Sequence, residues 1–152
     1  MAKKLQLRSE PESEYQLIGI VCMLKDYRLT YHLNKHLFLD LVKKDDLNAE
    51  AINPGKAVNF SFYYFEETGN RIKLYLIGNK NENGMLLSEF RQADYFLLIN
   101  GLFPSESMDK YLKTIRDLPS VMTAYKIDVN KYKKLDTFFS DIELHTIPAK
   151  KE

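Results

Sequence analysis

The sequence has little of what most chemistries require. Its 152 residues include one cysteine, Cys22, and no tryptophan. A single cysteine excludes a disulfide framework within the chain and fits a reducing compartment. Glycine numbers six and proline five, which excludes a collagen-like or Gly/Pro-rich chain. No glycines are grouped as GxGxxG, GxxxxGK[ST] or GxSxG, so the common phosphate loops and the serine nucleophile elbow are missing. Charge of one sign is also lacking: 22 basic and 21 acidic residues leave a net charge of +1. A nucleic-acid binder that works by bulk charge is normally more basic. No hydrophobic run is long enough to cross a bilayer. The apolar stretch at residues 15–24 is interrupted by Gln16 and Gly19. The first residues carry Lys3, Lys4 and Arg8 with no apolar core behind them, so we expect no export signal and a cytoplasmic location.

What is present is a globular composition, with 45% hydrophobic and 28% charged residues and 9 Phe and 10 Tyr. The length suits one domain, and no repeat or linker divides it. We expect a flexible arm over residues 1–13, one domain over 14–144 and a flexible tail over 145–152. Leu5 and Leu7 alternate within the arm and would form an edge strand only if something paired with them.

Residues 15–24 (YQLIGIVCML) read as a buried strand, with Gly19 marking a bulge or a close approach. Asp26 offers the N-cap of a helix whose apolar stripe is Leu29, Leu33, His36 and Leu37. The alternation of Leu37, Leu39 and Leu41 predicts a short strand reaching residue 43. Residues 43–57 read as a polar connection with a turn at Asn53-Pro54-Gly55. Residues 58–65 (VNFSFYYF) alternate strictly and pair with residues 71–78 (RIKLYLIG) in a hairpin. Residues 79–84 form a turn. Residues 95–99 are apolar throughout, which places that strand in mid-sheet with both faces covered. Pro104 and Ser105 open a helix that buries Met108, Leu112 and Ile115 and stops before Pro119. A strand over 121–129 and a helix over 130–142, burying Leu135, Phe138, Phe139 and Ile142, complete the order β-α-β-β-β-β-α-β-α. We expect an α+β fold with a mostly antiparallel sheet and helices on one face, a ferredoxin-like variant being the nearest simple plan.

Few residues combine into a chemistry. His32 and His36 share a helix face at metal-ligand spacing, but no third ligand accompanies them, and we expect neither metal nor cofactor. Cys22 lies in an apolar strand, where a free thiol packs as a small hydrophobe. Asp26, Tyr27 and Arg28 form a polar cluster suited to holding a carboxylate or a base. Glu89, Arg91, Asp94 and Tyr95 flank the start of the mid-sheet strand. There a carboxylate serves backbone amides, or pairs with Arg28 as a buried ion pair. The hairpin's outer face is expected to carry Tyr63, Phe65, Lys73, Tyr75 and Ile77. Such a face suits burial under a helix or a homodimer interface, or stacking on single-stranded RNA.

Leu87-Ser88-Glu89, three spacers and Ala93-Asp94-Tyr95 resemble the signature of the IPExxxVDY family of small bacterial proteins. Residues 17–34 (LIGIVCMLKDYRLTYHLN) and 94–101 (DYFLLING) are similar to other blocks of that family. Glu89, Asp94 and Tyr95 match, whereas Leu87, Ser88 and Ala93 stand where the signature has Ile, Pro and Val. The resemblance implies positions rather than a reaction: Glu89, Asp94 and Tyr95 are the residues to mutate first.

Three functional expectations follow. The leading one is a non-enzymatic protein-binding module that forms a homodimer, with no membrane association. The second is a single-stranded RNA module using Tyr63, Lys73 and Tyr75, which the balanced charge disfavours. The third is a small-ligand sensor or enzyme around Asp26, Arg28, Glu89 and Asp94, which requires those side chains to converge.

Overall fold

The computed structural model describes residues 15–48, 58–69 and 71–146. The expected arm over 1–13 and the turn at 53–55 lie outside the described residues. The elements are β1 (Tyr15–Cys22), α1 (Asp26–Leu37), β2 (Val42–Asn48), β3 (Asn59–Glu67), β4 (Ile72–Gly78), β5 (Lys80–Asn81), β6 (Gly84–Met85), β7 (Tyr95–Asn100), α2 (Ser105–Arg116), β8 (Val121–Ile127) and α3 (Lys134–Thr146). Short 3-10 turns occupy Ser88–Phe90 and Val129–Lys131. Apart from the small β5–β6 ribbon in the 79–84 turn, the order is the expected one and the class is α+β.

Six strands form one sheet in the order β2-β3-β4-β7-β1-β8. Every neighbouring pair is antiparallel. The ferredoxin-like expectation covers at most four of these strands; β2, β3 and α3 have no place in it. β7 sits between β4 and β1, where its composition demands. Phe96, Leu97, Leu98 and Ile99 are all fully buried, each contributing about 1.5–3 kcal/mol by leaving water. Phe96 and Leu98 join one core cluster with Leu135, Phe138 and Ile142 of α3. Leu97 and Ile99 join the other, with Leu29 and Leu33 of α1 and Met108 and Ile115 of α2.

The helices therefore cover both faces of the sheet, not one. The reason is in the strands. Leu17 on β1 and Tyr75 and Ile77 on β4 face α3, while Ile18, Ile20, Leu74 and Leu76 face α1 and α2. A single helical layer would leave one of these surfaces wet. α3 is fastened as well as packed. Tyr15 stacks on Phe139 with ring centroids 4.4 Å apart, and the Tyr15 hydroxyl and the Asn100 amide both donate to Glu143. α3 runs on through Thr146, so His145 belongs to its last turn and not to a tail. Its ring meets Phe62 at 4.6 Å.

The hairpin register corrects a second expectation. Phe62 pairs with Ile77, Tyr63 with Leu76 and Tyr64 with Tyr75. Even positions on β3 thus face the same way as odd positions on β4. Tyr63 and Phe65 lie with α1 and α2, whereas Tyr75 lies with α3. The proposed joint face of Tyr63, Phe65, Lys73 and Tyr75 does not form.

The boundaries of α1 and β2 also differ from expectation. Asp26 is the first helical residue and Lys25 the cap, without a side-chain capping bond. The buried stripe is Leu29, Thr30, Leu33 and Leu37, with His36 exposed. The alternating leucines at 37, 39 and 41 do not start a strand, because Phe38 turns the chain with φ 58° and ψ 49°. Asn34 then holds the turn, donating to the Leu41 carbonyl and accepting from the Leu41 amide at 3.2 and 2.8 Å. β2 follows from Val42. It is an edge strand with Lys43, Lys44, Asp45 and Asp46 exposed and a register shift between Lys44 and Leu47, both common protections against unwanted pairing.

The other edge is managed differently. Among the described residues β8 bonds to β1 alone. Ile20 pairs with Ala124 but its carbonyl accepts from the Asp94 amide on the β7 side. Ala124 therefore turns its backbone groups outward, and its carbonyl accepts from Arg116 Nε at 2.7 Å. Gly19 is a close approach, as expected: a Cβ there would lie 2.8 Å from Cζ of Tyr125. Among the described residues no helix is long and apolar enough to cross a membrane.

Gly101 joins β7 to α2 at φ +136°, where a Cβ would stand 2.9 Å from the Arg71 carbonyl oxygen. Gly101→Ala is expected to cost roughly 1–3 kcal/mol in urea unfolding. An unchanged midpoint and slope would show that the loop has room to spare.

Candidate functional site

The segment from Leu86 to Tyr95, which carries the signature-like residues, is organised by a residue outside the signature. Asn79 has no solvent exposure. Its side-chain amide donates to the carbonyls of Phe90 and Ala93 at 3.0 and 2.8 Å, and its side-chain oxygen accepts from the Leu87 amide at 2.8 Å. Its backbone donates to the Asp94 carbonyl and accepts from the Leu86 amide. One buried amide thus satisfies a loop that has few ladder bonds of its own.

Asp94 and Tyr95 fasten this loop to the end of β1. Asp94 Oδ2 accepts from the Cys22 amide at 2.9 Å, and Oδ1 lies 3.2 Å from Lys80 Nζ. The Tyr95 hydroxyl donates to the Leu24 carbonyl at 2.7 Å. Both side chains hold the backbone leading into α1. The Tyr63 hydroxyl donates to Asp26 Oδ2 at 3.0 Å on the same side.

The Tyr63 and Tyr95 phenols and the Cys22 thiol are each pushed towards the neutral form. Burial, then the bond to Asp26, pushes the Tyr63 phenol up to about 12. Burial, then the nearby Cys22 and Asp26, raises Tyr95 above its ordinary value. Burial also raises the Cys22 thiol, which removes it as a nucleophile at neutral pH.

None of the described cavities brings the four residues of the acid–base expectation together. Arg28 is exposed and Asp94 is paired with Lys80 instead. Tyr27 is exposed as well. Glu89 sits on the α3 side, 2.8 Å from Lys134 Nζ. Lys134 holds its carboxyl below the usual carboxylate range. Neither of the two cavities that Glu89 borders is lined by Asp26, Arg28 or Asp94. The RNA-stacking set is not assembled either: Tyr75 is fully buried, Tyr63 nearly so, and they point to opposite faces. His32 and His36 do share a face, with rings 6.2 Å apart, and among the described residues no third ligand joins them.

Two of the described concave surfaces bear on function. One is a cleft of about 510 Å³ between Phe90, Arg91 and Gln92 of the signature-like loop and Tyr125 to Tyr132. The other is a groove of about 480 Å³ among the C-terminal end of α1, the β7–α2 loop and α2. Phe38 and Leu102 flank it with 89% and 85% of their surface exposed. Half-buried Phe103 and Tyr111 form its floor, with rings 4.9 Å apart. Sequence reasoning missed Asn79, Phe38 and Leu102. For Phe38 a signal exists: an aromatic residue directly follows a helix, where glycine is favoured. Asn79 reads as an ordinary turn residue, and only its neighbours in space mark it.

Set against known proteins, the chain matches no family model and no curated relative.

Asn79→Ala would leave the Leu87 amide and the Ala93 carbonyl unpaired in the interior, while the Phe90 carbonyl keeps only the Ala93 amide. It is expected to cost roughly 2–4 kcal/mol in chemical denaturation. Asn79→Asp is expected to be no better, since an ionised carboxylate would face two carbonyls. A loss under ~0.5 kcal/mol for either variant would show that the loop is held by other means.

Proposed function

We propose that this protein is a non-enzymatic binding module whose partner is a protein, and that the partner is a second copy of the chain docked through the Phe38–Leu102 groove. The observation that carries this reading is the exposure of two large apolar side chains on one concave surface. Exposed apolar residues are ordinary when scattered. Two of them flanking a shaped groove with an aromatic floor are the features of a contact surface.

Backbone conformation supports the same reading. Phe38 has φ 58°, and a bulky non-glycine residue held there costs of order 1 kcal/mol. Glycine would terminate α1 with less strain. A strained aromatic side chain presented almost wholly to water stabilises nothing within the described fold, and burial against a partner would return about 1.5–3 kcal/mol. The rim also favours self-association. It carries both Lys110 and Glu67, and a patch with both signs can be complementary to its own copy across a two-fold axis.

The kinship with IPExxxVDY proteins is a proposal on the same footing. What supports it is the matched trio itself: Asp94 binds the last residue of β1, Tyr95 the backbone just after it, and Glu89 pairs with α3. On this reading the matched positions keep the fold in shape and leave the surface to do the binding.

Light scattering over a concentration series tests the dimer, with twice the chain mass expected. Phe38→Gly is expected to give a monomer with unchanged or higher thermal stability. Wild-type protein that stays monomeric at high concentration overturns self-association. A Phe38→Gly variant that still dimerises places the interface elsewhere.

A further inference from the structure

The second concave surface is independent of the Phe38 groove and has a different chemistry. Arg91 borders the cleft on the signature-like loop, while Lys126 and Lys131 border it on the side of β8 and the turn that follows. Among the described residues none of these three cations has a carboxylate within salt-bridge distance. The two carboxylates of the lining already serve other donors. Glu89 takes Lys134, and Asp128 accepts from the Asn130 amide at 3.1 Å. The lining thus carries three cations against two carboxylates, one of which is already paired with a lysine outside it.

Three aromatic residues, Phe90, Tyr125 and Tyr132, share the lining with Gln92 and Ile127. Tyr132 meets Phe90 edge to face, with ring centroids 4.9 Å apart. The Tyr125 ring lies over Gly19 and is half-buried. The volume of about 510 Å³ falls within the range of small-molecule sites, roughly 300–1,000 Å³. Cations supply charge-assisted bonds to an anion, and guanidinium and phenol faces stack on planar rings.

We propose that this cleft binds a small anion carried on a planar ring, the shared chemistry of a nucleoside monophosphate and an aromatic carboxylate. Arg91 and Lys131 hold the anionic group, and Tyr125 and Tyr132 provide the surface for the ring. The spacer residues of the signature-like motif then acquire a role that its matched residues do not have.

Isothermal titration at low salt tests this with four probes: adenosine 5′-monophosphate, 4-hydroxybenzoate, adenosine and inorganic phosphate. One of the first two is expected to bind, and which one identifies the source of the anion. Adenosine and phosphate are each expected to bind at least about tenfold more weakly, since each lacks half of the recognised chemistry. Arg91→Ala and Lys131→Ala alter exposed side chains and are expected to leave the melting temperature unchanged. Each is expected to weaken binding about tenfold or more, while Lys113→Ala on α2 leaves it alone. Tyr132→Leu is expected to weaken binding without restoring any preference for phosphate. Absence of binding by both ring-bearing anions overturns the proposal. So does equal binding of phosphate alone, or wild-type affinity in both cation variants. A monomeric wild-type chain, by contrast, would refute the dimer and leave these titrations unaffected.

Discussion

Asn79 has no water to turn to, and the segment from Leu86 to Asp94 has no ladder to join. Each solves the other's problem. The amide of one buried side chain supplies two donors and one acceptor, and the loop offers two carbonyls and one amide in matching positions. With the loop fixed, Asp94 and Tyr95 reach the end of β1, Phe90 and Leu87 enter the core under α3, and the wall of the cationic cleft is set. In a low-dielectric interior such a network is stable only when every member is satisfied. The arrangement therefore has few intermediate states: the corner forms as a whole.

Much of the fold was legible because hydrophobic pattern alone decides it. An uninterrupted apolar stretch at 95–99 has one comfortable place, the middle of a sheet covered on both sides. The spacing of Leu135, Phe138, Phe139 and Ile142 has one period that buries all four. Pattern fails where position in space decides instead. The faces of β3 are plain and so are those of β4, but which face of one joins which face of the other depends on hairpin register, and a shift of one residue exchanges the sets. The same limit hid the two-sided helical cover. β1 and β4 show apolar residues at both parities, a sign of burial on both faces, yet nothing local says which helix goes where. β2 is the opposite case. Its charges read as a loop, because an edge strand is under selection to look unlike a strand.

The candidate residues divide along the same line. Glu89, Asp94 and Tyr95 were visible as a motif, and their partners were not. Asp94 was expected to serve backbone amides or to meet Arg28; it does the former, with Lys80 as its cation. Asp26 was expected as a helix cap and instead receives a tyrosine hydroxyl from the hairpin. The surfaces that now carry the functional proposals, around Phe38 and around Arg91, depend on which residues are left uncovered. Exposure is a property of the assembled chain, so no local pattern announces it.

The sheet's two edges are protected by different means. β2 carries its own protection in Lys43, Lys44, Asp45 and Asp46, whose charges an added strand would have to bury. On β8 the protection at Ala124 is borrowed, since Arg116 of α2 occupies that carbonyl. A substitution within β2 weakens its guard directly, whereas the guard at Ala124 depends on a helix staying docked. Arg116 is the last residue of α2, and helix ends are where fraying starts. Fraying there would free an acceptor on the sheet margin, so the packing of α2 also governs how open that margin is to a foreign strand.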